Sequence, residues 1–348
     1  MNRSTYSYFK NSLFVTYLGI ALSAAVGYYF SGTWSGAFTM MFLCFVLTIL
    51  EVSVSFDNAV VNATVLRHMT PVWRRRFLTW GILIAVFGMR FIFPLAIVAV
   101  VGSMGPLDAL LLAAQRPDDY AAMMLSSHVV LSSFGGSFLL LVALKYFFDE
   151  GKDVHWIYVI ERPLIRLGKM EAIEIGIALL VLYFNMQFIP ADQQHGFFMA
   201  GVFGILTFIG VDGLSAFLEA PKEAQEALQR SGFSMFLYLE VLDTSFSFDG
   251  VIGAFAITNN LFIIAIGLGV GAMFVRSLTI YLVETGTLAK FRYLEHGAFY
   301  ALGALAGLMF LGTHRHVPEV ITGLVGAGFI GLSFWASIRH NKAHLTGE

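Results

Sequence analysis

The chain has 348 residues, 57% of them hydrophobic and only 13% charged, and its 21 Lys and Arg against 23 Asp and Glu give a formal charge of −2. Soluble domains carry about a quarter charged residues, so this density, with 34 Phe and a mean hydropathy of +0.75, leaves too little polar side chain to coat a water-facing surface. A soluble enzyme, a nucleic-acid binder and a disordered chain are excluded. The prediction is an all-α, polytopic membrane protein, because its apolar runs last about twenty residues where barrel strands would alternate over about ten. The single Cys44 excludes an internal disulfide and any multi-cysteine zinc or iron–sulfur site.

Ten apolar stretches follow in chain order, each bounded by charge, Gly or Pro: 13–31, 36–66, 77–101, 127–148, 172–190, 196–217, 231–258, 261–286, 294–313 and 318–338. The first follows Arg3 and Lys10 and contains Ala21, Ser23 and Ala24, as a signal peptide would. Its apolar run is longer than a usual signal core, so it is read as a retained first helix. Segment 102–126, with Pro106, Pro117, Asp118 and Asp119, is either a short cap or a re-entrant piece. The polar connection 151–171, carrying Pro163 and Gly168, is read as a cytoplasmic linker between two membrane halves, 1–150 and 172–348.

Sixteen Lys and Arg fall in alternate connections and the two ends, including Arg67, Arg74, Arg75, Arg76, Lys152, Arg162, Arg166 and Lys169, whereas the intervening connections hold only Arg116 and Arg315. The positive-inside rule then places both termini in the cytoplasm of a multi-pass prokaryotic inner-membrane protein. Lys145, Arg90 and Arg276 remain within spans.

The chain echoes itself weakly. Leu50–Ala59 (LEVSVSFDNA) resembles Leu242–Val251 (LDTSFSFDGV): in each, an acid is followed six residues later by the Asp of Ser-Phe-Asp, and an Arg follows in the next span, Arg90 or Arg276. These copies lie on the second and seventh spans, which by the loop count cross in opposite directions. An inverted repeat with acids near mid-span is the plan of many secondary transporters.

Away from span ends, the spans hold Glu51, Asp57, Asp212, Glu240, Asp243 and Asp249 against Arg90 and Arg276. One acid at the bilayer centre costs about 2.5–3.5 kcal/mol even on the lenient insertion scale, so these must face the interior. Two arginines neutralise two of them, and the rest require cations, protons or water. On an ideal helix Glu51, Ser55, Asn58 and Asn62 share one stripe, and Glu240, Asp243 and Ser247 share another. Asp57 and Asp249 fall about 120° away from their partner acids. All four motif acids reach one ion only if the helices are broken or unwound between them or if a second face meets another helix, and Gly250 and Gly253 would ease a break in the seventh span.

The donors are hard oxygens, suited to Mg²⁺, Ca²⁺ or Mn²⁺, and no His or Cys stands beside them. The expected ion ligands are Glu51, Asp57, Asn58, Glu240, Asp243 and Asp249, with Ser55, Asn62, Arg90, Asp212, Ser247 and Arg276 in support. The bland reading pairs the motif acids structurally with the two arginines. Asp212, between Gly210 and Gly213, reads as a supporting or proton-handling group. An intramembrane aspartyl protease is the enzyme alternative, but its dyad shares one proton, and two arginines would hold these acids ionised.

At these residues the chain resembles the TerC family of membrane proteins, which includes manganese exporters of the Alx type. Its acid followed by Ser-x-Asp-Asn is matched by Glu51, Ser55, Asp57 and Asn58. Its second acidic motif is similar to Glu240, Asp243, Phe246 and Asp249 with the following Ala254, Ile257 and Thr258, and its trailing Arg-Ser-Leu to Arg276, Ser277 and Leu278. The family's Ser-Ile-Pro after the second Asp is replaced by Gly250-Val251-Ile252, so a proline kink is missing. The resemblance covers about half the chain. It implies inverted three-helix repeats related to LysE-type exporters, divalent-cation export with Mn²⁺ as first cargo, and Glu51, Asp57, Asp243 and Asp249 as ligands, with Glu240 carried over less firmly.

The expectation is therefore a divalent-cation carrier working by alternating access, no enzyme and no cofactor. Its partners are the lipid bilayer and the ion, without nucleic acid, and a homo-oligomer is left open. No ATP-binding motif is present, so protons or the membrane potential would drive it. The alternative is a membrane sensor or scaffold in a metal- or tellurite-stress complex that binds metal without moving it.

Overall fold

The computed structural model describes residues 5–81, 83–149, 151–152, 154–170, 172–218, 224–255, 257–315 and 317–346. The side chains of residues 78, 85, 214–218, 224–231, 248–249, 319–320 and 343–346 lie outside that description. Among the described residues every regular element is helical. Eight helical runs among the described residues are long and apolar enough to cross a bilayer, which fits a polytopic all-α membrane protein.

The chain opens with α1 (Thr5–Ser31) and α2 (Trp34–Val54), joined by a tight turn in which the Thr33 hydroxyl accepts from the Gly36 N–H at 3.1 Å. The buried face of α1 is Ser12, Gly19, Ser23 and Gly27. Between lipid-soaked helices, oil burial supplies little drive and close backbone approach supplies most of it, so small residues mark the seam. A side chain at Gly27 would meet the Ala37 Cα at 2.8 Å. The Ser12 hydroxyl reaches the Met273 carbonyl and the Ser277 hydroxyl, both at 2.7 Å. The opposite face exposes Phe14, Tyr17 and Tyr29, as a lipid contact would.

Ser55 interrupts the second span, with φ −93° and ψ 17°, and α3 (Phe56–Leu66) continues beyond it. The third span begins as α4 (Pro71–Arg76), is wound as π-helix over Phe77–Gly81 and Ile84–Ile92, and ends as α5 (Phe93–Val101). Segment 102–126 forms two ten-residue helices, α6 (Pro106–Gln115) and α7 (Pro117–Ser126). Each is about 15 Å long, too short to cross. They cap the end of α5, burying Ala109, Leu112 and Tyr120 in one cluster with Val98 and Phe255.

The remaining helices are α8 (His128–Phe148), α9 (Tyr158–Leu167), α10 (Ile173–Met186), α11 (Ala191–Leu218), α12 (Ala224–Phe255), α13 (Leu261–Glu284), α14 (Thr287–Lys290), α15 (Leu294–Gly312) and α16 (Glu319–Thr346). The halves 1–150 and 172–348 do not stand apart: α13 packs on α1, α2 and α3, while α11 and α15 pack on α8. The 151–171 connection contains α9. A break eased by Gly250 and Gly253 is corrected by the structure, because α12 runs unbroken past both. Helix hydrogen bonding tolerates isolated glycines at a cost of about 1 kcal/mol each, and nothing like the missing proline forces a kink.

Candidate functional site

The interruption at Ser55 is where the first motif acquires its geometry. The Ser55 N–H donates to the Glu51 carbonyl at 2.9 Å, and its hydroxyl donates to Glu51 Oε1 at 3.0 Å, so the serine closes the last turn of α2 and orients the carboxylate. The Arg90 guanidinium, brought in by the π-wound stretch, forms a direct ion pair with the same oxygen. Both partners are buried. Glycines make room for this acid: a Cβ at Gly271 of α13 would meet the Glu51 Cβ at 2.5 Å, and one at Gly250 of α12 would meet Glu51 Oε2 at 3.3 Å.

Eleven residues along the chain, Asn62 donates from Nδ2 to Asp243 Oδ1 at 2.7 Å. Amide orientation is otherwise ambiguous, but an ionised carboxylate beside Asn62 accepts only, so the NH₂ must face it. The Asn62 Oδ1 is left buried with no hydrogen-bond partner among the described residues. Glu51 approaches Gly250 while Asn62 approaches Asp243, so the two motif helices run antiparallel past one another.

Between them lies a cavity of about 60 Å³, room for several waters or one partly hydrated ion. Its wall takes Glu51, Ser55, Asn58 and Asn62 from the second span, Asp243 and Ser247 from α12, Arg90 from the third span, and Arg276 and Thr279 from α13. The donor set is entirely oxygen, with a spare amide carbonyl among it. That chemistry fits a hard divalent cation.

Two of the other expected ligands, Asp57 and Glu240, are not among the cavity's wall residues, although Glu240 touches Gly81, which is. Asp57, in the first turn of α3, is buried on the far side of its helix, where a Cβ at Gly326 of α16 would touch its Oδ2 at 3.1 Å. Its Oδ1 accepts from the Asn58 N–H at 3.0 Å. Ser55 breaks the helix by too little to undo the 120° offset. Glu240 packs its Oε1 against Gly81, where that atom has no hydrogen-bond partner among the described residues. The Asp249 side chain lies outside the described residues. No group of three or more His, Cys, Asp or Glu able to hold a metal occurs among the described residues, so the motif acids that are described do not form a ready-made cage.

Asp212 is also placed away from the cavity, in an ion pair with Lys145 of α8. That corrects the charge balance: six intramembrane acids face three cations, Arg90, Arg276 and Lys145, rather than two. A second charged cluster lies in the 151–171 connection, centred on Glu161, which is fully buried. Its Oε1 accepts from the Trp156 and Ile157 N–H groups at 3.1 Å, and its Oε2 lies 3.3 Å from Lys152 Nζ and 3.2 Å from His155 Nδ1. Only the polar residues of the linker hinted at it, since nothing in periodicity marks one linker acid as buried.

A many-helix bundle with an oppositely charged polar cavity between two antiparallel motif helices defines a polytopic membrane protein of transporter-like build. The chain belongs to the DUF475 family, described as proteins of unknown function, which matches residues 56–344. That match includes Asp57, Asn58, Asn62 and the whole second motif, while Glu51 and Ser55 precede it. No curated protein and no solved structure matches the chain.

Proposed function

We propose that this protein is a secondary carrier of a divalent cation, with Mn²⁺ export as its leading activity and the TerC family as its wider kin. The observation that carries this reading is the Glu51–Asp243 cavity: two carboxylates from oppositely running helices, with Asn62 also in its wall and the Asn62 carbonyl without a hydrogen-bond partner among the described residues, in the interior of a membrane bundle. Intramembrane acids are expensive and default to ion handling. In this reading the cation replaces Arg90 at Glu51 and is shared with Asp243, Asn58 and Asn62. Ten crossings with both ends in the cytoplasm of a prokaryotic inner membrane fit the sixteen-to-two distribution of basic residues between alternate connections.

The test uses purified protein in liposomes. Mn²⁺ flux should be present with the natural chain and lost in Asp243→Asn and Glu51→Gln, with Ca²⁺, Mg²⁺ and Zn²⁺ run beside it. Saturable metal binding without flux would instead establish the sensor or scaffold reading. Neither binding nor flux for any of the four ions would end the cation assignment.

A further inference from the structure

The 154–170 stretch carries three distinct strips on a helix of 3.6 residues per turn. Glu161, Leu164, Ile165 and Gly168 form the inner strip, buried or half-buried against the bundle. Tyr158, Arg162, Arg166 and Lys169 form a second strip, and Val159, Ile160, Pro163, Leu167 and Met170 a third, all of them exposed. Val159 is 83% exposed and Tyr158 55%. The only described acid of the stretch is Glu161, consumed in its buried cluster, so the exposed charge is wholly positive.

The helix is held at one level. A side chain at Gly168 would collide with the Phe148 carbonyl at the end of α8. Lys152 Nζ sits over the Tyr146 and Phe147 rings at 4.3 and 5.0 Å. Tyr300, near the start of α15, donates to Glu161 Oε1 at 3.3 Å, and His296 Nε2 lies 2.7 Å from the Val154 carbonyl. The end of one crossing helix and the start of another therefore fix α9 at the bilayer boundary, where a basic strip beside an apolar strip is the pattern of an interfacial helix.

We propose that α9 is a built-in interfacial anchor that binds anionic phospholipid headgroups, with Arg162, Arg166 and Lys169 at the phosphate level and Val159, Ile160, Leu167 and Met170 in the upper acyl region. Charge complementarity selects the occupant: three cations that no described acid of the stretch opposes meet a negatively charged leaflet at the lipid boundary. The anchor is independent of the ion site and of any transport.

The experiment places a nitroxide at Val159→Cys in the full chain, with Cys44→Ala, in bilayers of phosphatidylcholine alone or mixed equally with phosphatidylglycerol. The ratio of oxygen to aqueous nickel-chelate accessibility should be several-fold above that of a free aqueous nitroxide, and should rise when phosphatidylglycerol is added. Arg162→Gln, Arg166→Gln and Lys169→Gln together should return it to the phosphatidylcholine value, with thermal unfolding unchanged as the folding control. A water-like ratio in the mixed bilayer would overturn the proposal, as would a rise that survives the triple change. Protection from both reagents would show that protein, not lipid, covers the face, and would overturn it equally.

Discussion

Asn62 and Asp243, 181 positions apart, are joined by a 2.7 Å hydrogen bond that ties the second span to α12 across the central cavity. Removing the amide leaves a buried carboxylate short of its donor. Asn62→Leu should lower stability by about 1–3 kcal/mol, read as an earlier thermal midpoint in detergent. Cys44, the single cysteine and buried, supplies the reporter through its reaction with a thiol dye on unfolding. An unchanged midpoint would mean that water already serves Asp243.

The Arg90–Glu51 pair makes a larger claim. Arg90→Met strands a buried carboxylate, which should cost about 3–5 kcal/mol, whereas Arg90→Met with Glu51→Gln should recover most of that loss. The comparison is a double-mutant cycle in the same thermal assay. If the second change rescues nothing, the pair is not the reason for the first loss.

Close packing of α13 on α2 predicts a steric effect at the same acid. With the Glu51 Cβ only 2.5 Å from a Cβ built at Gly271, Gly271→Val should force the helices apart, costing about 1–3 kcal/mol as overpacking does. Gly307→Val, where nothing lies within 4 Å, is the matched control and should be close to silent apart from its helix propensity. Equal shifts for the two would refute the contact.

The Glu161 cluster predicts an acid limb. Burial alone would raise this carboxyl, but the Ile157 N–H, the Lys152 ammonium and the Trp156 N–H outweigh it and hold Glu161 below its ordinary value of 4.5. A carboxyl with a depressed folded value contributes stability above its unfolded value, and loses it as pH falls through the folded one. The thermal midpoint should therefore fall on acidification below about pH 4.5, and Glu161→Gln should lower the neutral-pH midpoint and flatten that limb. A variant that keeps the wild-type slope would assign the limb to other acids.

Periodicity and charge made the bundle legible. Among the described residues each apolar stretch between Arg3 and Lys342 is mainly helix, because a buried or lipid-facing backbone has no other way to satisfy its own polar groups. The Glu51–Ser55–Asn58–Asn62 stripe was legible for the same reason, since spacing along a helix fixes direction. Convergence was not. Whether Asp57 and Glu51 meet depends on how far Ser55 opens the helix, and a one-residue interruption carries no distinctive sequence. Lys145 could be counted as an intramembrane charge but not matched to Asp212, because pairing between helices depends on depth and rotation. The π-wound turns of the third span left no mark in its run of Phe, Leu, Ile and Gly.

Those wide turns carry, in their last turn, the residue that neutralises Glu51. A π-turn accommodates one more residue than the usual winding, and drawing one such turn back to ordinary pitch would swivel Arg90 by about 100° relative to the stretch before it. Such re-winding would carry the guanidinium away from Glu51 without breaking a covalent bond.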